Sequence, residues 1–167
     1  MESIKIILVS IVLAVIYGIL HDLVTANIAI EYFTVGHPKI LESESPFHMA
    51  LLWGVIATWW VGLILGVLLA IAARFGARPK LGLSDVFNPM VKLLVVMALV
   101  ATVAGIIGYF LAKGEVIYLV GKYANRIDAD RHHLFLTAGW AHNASYIAGL
   151  IGGAFVSYHT WKKRKSK

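Results

Sequence analysis

The chain contains no cysteine. Disulfides, Cys-based zinc sites, thiolate haem ligation and cysteine-held iron–sulfur clusters are therefore excluded. Charge is scarce as well: only 14% of the 167 residues are charged, while 59% are hydrophobic. A soluble domain carries about 25% charged and roughly 45–50% apolar residues. A chain this apolar has no water-compatible surface to present, so it reads as an integral membrane protein. The HExxH arrangement of zinc-dependent membrane proteases is missing, and so are the paired Glu-x-x-His motifs of di-iron bundles. Neither an internal repeat nor a soluble domain is evident.

The net charge of +6 does not point to nucleic acid. Five of the fifteen basic residues lie in the last six positions, Lys162 to Lys167. A short basic tail after an apolar span anchors orientation at cytoplasmic headgroups, so the expected partner is the lipid bilayer and not nucleic acid. Near the amino terminus, Lys5 is followed by the apolar run IILVSIVLAVIYGIL. No small-x-small cleavage site follows it, and this predicts a retained first span rather than a cleaved signal peptide.

Crossing a bilayer as a helix takes about 20 apolar residues. Four segments qualify, at about residues 4–29, 47–73, 89–112 and 130–161. Ser45-Pro46 and Asn88-Pro89 look like helix openings, a capping residue followed by proline at the first helical position. Apolar runs this long must be helices, because they exceed barrel strands. The expected fold is an all-α, integral membrane four-helix bundle in one domain.

Loop charges predict its orientation. The link between spans two and three holds Arg74, Arg78, Lys80 and Lys92 against Asp85, and the tail is basic. The link between spans one and two holds Lys39 against Glu31, Glu42 and Glu44. The positive-inside rule then places both termini in the cytoplasm, with the first and third loops outside. Gly62, Gly66 and Ala70 recur at every fourth residue, as do Ala148 with Gly152 and Gly149 with Gly153. Such spacing lets helix backbones approach closely, within a chain or through glycine faces in a homo-oligomer.

On this topology six of the seven histidines, His21, His37, His48, His132, His133 and His142, fall at outer ends of spans or in outer loops; His159 does not. From Lys5 to His21 is a rise of roughly 24 Å, and from Trp161 back to His142 roughly 28 Å. The two histidines therefore share a height near the outer edge of the hydrocarbon layer. Tyr17, His21, Thr25 and Tyr32 lie on one stripe of the first span. Arg131, Phe135, Ala138, His142, Tyr146 and Gly149 lie on one stripe of the last. Ionisable groups at a span end are costly and suggest function. Each also has a plainer role open to it. His21 could bond a backbone carbonyl, Asp22 could pair with Arg126 or Arg131, and His48, His132 and His133 could be solvated. Trp59 and Trp60 look too deep for an interfacial belt and suit core packing. Asn143-Ala-Ser145 matches a glycosylation sequon but falls within a span.

The strings YGILHDLVTANIAIEYFTVGHP, ATWWVGL and WAHNASYIAGLIGG resemble those of a group of small bacterial four-span membrane proteins. The resemblance covers most of the chain and rests chiefly on the HD…EYFT.GHP string. It implies four spans, and it brings no activity, cofactor or site residue with it.

Three functions follow from the residues. The first is a metal site facing the periplasm or exterior, with His21, His142, Glu31 and His37 as ligands and Asp22 or Glu31 as general base. Imidazole and carboxylate without sulfur suit zinc, iron, manganese or copper. The second is a small oligomeric transporter or assembly subunit. The third is haem b held between His21 and His142 for electron transfer.

Overall fold

In lipid, backbone polar groups have no water to bond, so long apolar runs satisfy themselves as helices. The computed structural model describes residues 1–164. Lys165 and Lys167 of the basic tail lie outside the described residues. The elements are α1 (Glu2–Ile28), α2 (Glu31–Thr34), α3 (Pro46–Arg74), α4 (Leu83–Lys113), a 3₁₀ turn (Ala129–Arg131) and α5 (His132–Lys163), with no strand among the described residues. Helices α1, α3 and α4 are each long and apolar enough to cross a membrane. Helix α5 has 32 residues, but side chains such as His142, Asn143 and Ser145 make it more polar.

Three of these helices start and stop within two residues of the expected spans. Helix α4 instead starts at Leu83, and Pro89 lies inside it. The start is set by Gly82-Leu-Ser-Asp85, not by Asn88. The Gly82 N–H donates to Asp85 Oδ2 at 2.9 Å, and the Leu83 N–H donates to Glu2 Oε2 at 3.2 Å. Two of the free N–H groups at the helix start are thereby satisfied, and one lost bond at Pro89 is tolerated.

Helix α1 packs chiefly on α3 and α4 chiefly on α5, with smaller contacts joining the two pairs. Glycine makes the first pair possible. A Cβ at Gly54 would lie 2.5 Å from the Ile19 backbone nitrogen, and one at Gly62 would lie 2.8 Å from Ile11 Cα. Gly66 faces Ser10 in the same way. On α5, Gly149 abuts Met97 of α4 and Gly153 abuts Leu65 of α3. The glycine faces are thus occupied within the chain. Trp59 and Trp60 lie outside the core, each 47% exposed, because the α3 face packed on α1 is the glycine face.

The start of α1, the end of α5 and the loop between α3 and α4 meet at one end. There Arg164, expected among headgroup anchors, is 1% exposed. Its guanidinium donates to the carbonyls of Pro79 at 2.7 Å, Ala72 at 2.8 Å, and Phe75 and Arg78 at 3.0 Å each. A turn of chain presenting four carbonyls inward draws in a planar five-donor group.

Candidate metal centre

At the opposite end, α1 and α5 bring three ionisable side chains together. His21 and Asp22 sit about two turns below the end of α1, just above the Gly18 contact with α3. His142 comes from the inward stripe of α5. One ligand atom from each of the three lies within 4.8 Å of the others. His21 Nε2 is 3.3 Å from His142 Nδ1, and His142 Nε2 is 3.0 Å from Asp22 Oδ1. Asp22 and His142 are both 5% exposed. A carboxylate buried that deeply needs a donor, and the Nε2–H of His142 supplies it. His142 Nδ1 lies 3.2 Å from the Ala138 carbonyl and 3.3 Å from His21 Nε2, and in the tautomer with the proton on Nε2 its lone pair is open towards His21.

Around this core the rings are close-set. Tyr17 stacks on His21 with centroids 5.7 Å apart, and its hydroxyl lies 2.7 Å from Ser145 Oγ. The Tyr32 ring centroid is 4.4 Å from that of His142. Burial, then Tyr146 and Asp22, pushes the Tyr32 hydroxyl well up, so it stays neutral. Helix α2 therefore lies over the cluster as a cap carrying Tyr32 and Phe33.

The remaining sequence candidates stand elsewhere. Glu31 is held by Arg131, whose Nε and Nη2 donate to its two oxygens at 2.8 and 3.2 Å. Burial pushes the Glu31 carboxyl up, but Arg131 outweighs it and holds it below the usual carboxylate range. Arg131 thus takes Glu31 rather than Asp22. His37 folds back towards the site, but its Nδ1–H donates to the Tyr32 carbonyl at 2.7 Å and its ring lies 4.5 Å from that of Trp53. It holds the cap and is not among the three clustered groups. His48 bonds Ser43, His132 bonds the Ile127 carbonyl, and His133 meets Tyr109 edge to face. Ser145 is the polar neighbour that sequence reading passed over. Its signal was spacing: three residues beyond His142, on the inward side of α5, opposite a tyrosine one turn before His21.

Chemically, two imidazole nitrogens 3.3 Å apart match the edge of a tetrahedral ion with bonds of about 2.0–2.1 Å. The same two nitrogens are the ones that would hold a haem b. Asp22 behind His142 has the placement of a carboxylate that orients a metal-ligating histidine. No family model, curated protein or solved structure matches the chain.

Proposed function

We propose that the protein is an integral membrane four-helix bundle carrying a divalent transition-metal site at its outward end, formed by His21 and His142 and oriented by Asp22. The observation that carries this reading is the 3.3 Å separation of His21 Nε2 and His142 Nδ1, with Asp22 on the far nitrogen of His142. Two nitrogen donors leave coordination positions open, the arrangement of a reactive site rather than a closed structural one. When bound, such an ion supplies Lewis-acid chemistry to an oxygen in an open position. Zinc, iron, manganese and copper all suit this donor set. Glu31 and His37, held by Arg131 and by the cap, support the site from outside it.

Helix α5 serves as the fourth span in this reading. It packs along α4 and turns Ile147, Leu150, Ile151 and Phe155 outward, each at least 60% exposed. The basic loop and tail support an orientation with both termini in the cytoplasm and the metal site towards the periplasm or exterior. A homo-oligomeric transporter would need a surface other than the glycine faces, which are engaged within the chain.

Elemental analysis of the purified protein tests the proposal. One transition-metal ion per chain is expected, lost in both His21→Ala and His142→Ala. Substoichiometric metal that neither substitution changes would overturn it.

A further inference from the structure

Below the histidines an elongated cavity of about 110 Å³ runs between the helices. Its upper wall holds His21, Asp22 and His142; its lower wall reaches Ser10 on α1 and Ser157 on α5. Between these ends the wall is mostly Leu, Val and Met, with Leu13, Leu65, Leu93, Leu94 and Met97 among its side chains. The hydroxyls set along it are already engaged. Ser10 donates to the Ile6 carbonyl and Thr58 to the Gly54 carbonyl, while Tyr17 and Ser145 bond each other. Tyr146 and Ser157 also line the cavity, but eleven residues of α5 separate them, roughly 16 Å. A buried water needs about two to four polar partners, and one placed midway along this cavity finds none to spare.

Size and charge narrow the guest further. A dry apolar cavity of about 150 Å³ takes up benzene or xenon. This one is smaller and drawn out, so a ring or a hydrocarbon chain is too large for it. The buried Asp22 carboxylate at its upper end repels an anion. What fits is a neutral, apolar molecule of diatomic size.

A second void opens the way in from the membrane. A groove of about 570 Å³ lies between α1, α4 and α5 on the outer half of the molecule. Its rim includes Leu20, Val24, Ile106 and Phe110, all more than half exposed. Tyr17 and His21 line both this groove and the inner cavity. They form a shared wall between the membrane-facing side and the interior.

We propose that the cavity is a dry holding site for dioxygen, which enters from the bilayer past Tyr17 and reaches the ion's open positions from below. Apolar gases leave water for hydrocarbon as other apolar solutes do. Dioxygen is the member of that class that an iron or copper ion with nitrogen ligands takes up at an open position. This inference rests on the metal-site reading and deepens it by naming the molecule that meets the ion. The step assigned is binding alone.

The test uses crystals of the full-length protein grown from a lipid phase and pressurised with xenon, an apolar probe located by its anomalous scattering. Xenon is expected in the cavity beside Leu93 and Met97, and absent in Leu94→Trp, whose indole fills the space. Ala14→Leu, which lengthens another wall residue, serves as the second filled variant should Leu94→Trp fail to fold. Ordered water in the cavity, or xenon on the lipid-facing surface alone, would overturn the proposal. Nitric oxide then stands in for dioxygen on iron(II)-loaded protein in nanodiscs, where its binding to the iron gives a half-integer-spin resonance signal. That signal is expected in wild type and should form about tenfold more slowly in the filled variant. Equal rates would overturn supply through the cavity. Metal content is read on the same samples. Xenon in the cavity of protein that holds no metal would discard the ion alone. Full metal above a cavity that takes no xenon would discard the gas site alone.

Discussion

At one end of the molecule Arg164 gives its N–H groups to four backbone carbonyls; at the other, Asp22, His142 and His21 answer one another. The guanidinium is a fixed donor, and the hydrogen bonds it makes among the described residues all go to main chain. Such a group ties down a loop and has little left to offer a ligand. The histidine end is built from side chains that both donate and accept, with nitrogens facing across 3.3 Å. Burial alone therefore does not distinguish a structural charge from a functional one. The partners do: carbonyls complete a cation, whereas a second imidazole leaves a lone pair available.

The sharpest way to break this contrast is Arg164→Ala. It leaves four inward carbonyls without a donor, and unfolding free energy should fall by about 3–5 kcal/mol. Chemical denaturation in mild detergent measures it, and metal per folded chain should not change. Arg164→Lys should recover only part of the loss, since one ammonium cannot reach all four carbonyls. A loss below about 1 kcal/mol for the alanine variant would show that water replaces the guanidinium.

At the histidine end the effect should fall on binding instead. Asp22→Asn removes the carboxylate that orients His142, and metal affinity should drop about 10–100-fold by chelator competition. Equal affinity in wild type and variant would remove Asp22 from the site.

Between the two ends lies the α1–α3 contact that sets the height of His21. Gly54→Ala would place a methyl 2.5 Å from the Ile19 backbone nitrogen. The helices must part, at a cost of about 1–2 kcal/mol in thermal or chemical unfolding. Because Ile19 lies two residues before His21, metal affinity should fall too; a variant that loses stability but keeps full affinity would uncouple the glycine seam from the site.

The smallest effect belongs to the cap. Arg131 holds the Glu31 carboxyl below its ordinary range. The pair's contribution is therefore complete above the usual carboxylate pKa and is lost as acid protonates Glu31 below that range. The pair is partly exposed, at 34% and 21% of the side-chain surface, so Glu31→Gln should cost only about 0.2–1 kcal/mol near neutral pH. Below the carboxylate range wild type and variant should converge. A difference that persists unchanged in acid would assign the effect to something other than this carboxylate.

Much of this arrangement was legible in the chain. Apolar runs gave the helices, and counting helical rise placed His21 and His142 at one level, where their rings now lie in contact. Counting cannot give azimuth around a helix between two neighbours. His21 and Asp22 are adjacent in sequence, yet both reach His142 because each meets a different ring nitrogen. Asp22 had arginines within reach on paper, and only the fold shows that Glu31 takes Arg131. Glu31 and His37 follow the end of α1, where no periodicity fixes direction. Arg164 was hidden by its company: set among lysines, it read as an anchor, although its planar donors suit buried carbonyls better than headgroups. The start of α4 was missed because Asn88-Pro89 is a louder signal than Gly82 with Asp85.

X-ray absorption at the edge of the bound metal tests the central claim most directly. The account predicts a nitrogen/oxygen shell at about 2.0–2.1 Å with outer-shell scattering from two imidazoles, and no bound metal in His21→Ala. An oxygen-only shell, or a spectrum identical in wild type and His21→Ala, would contradict it.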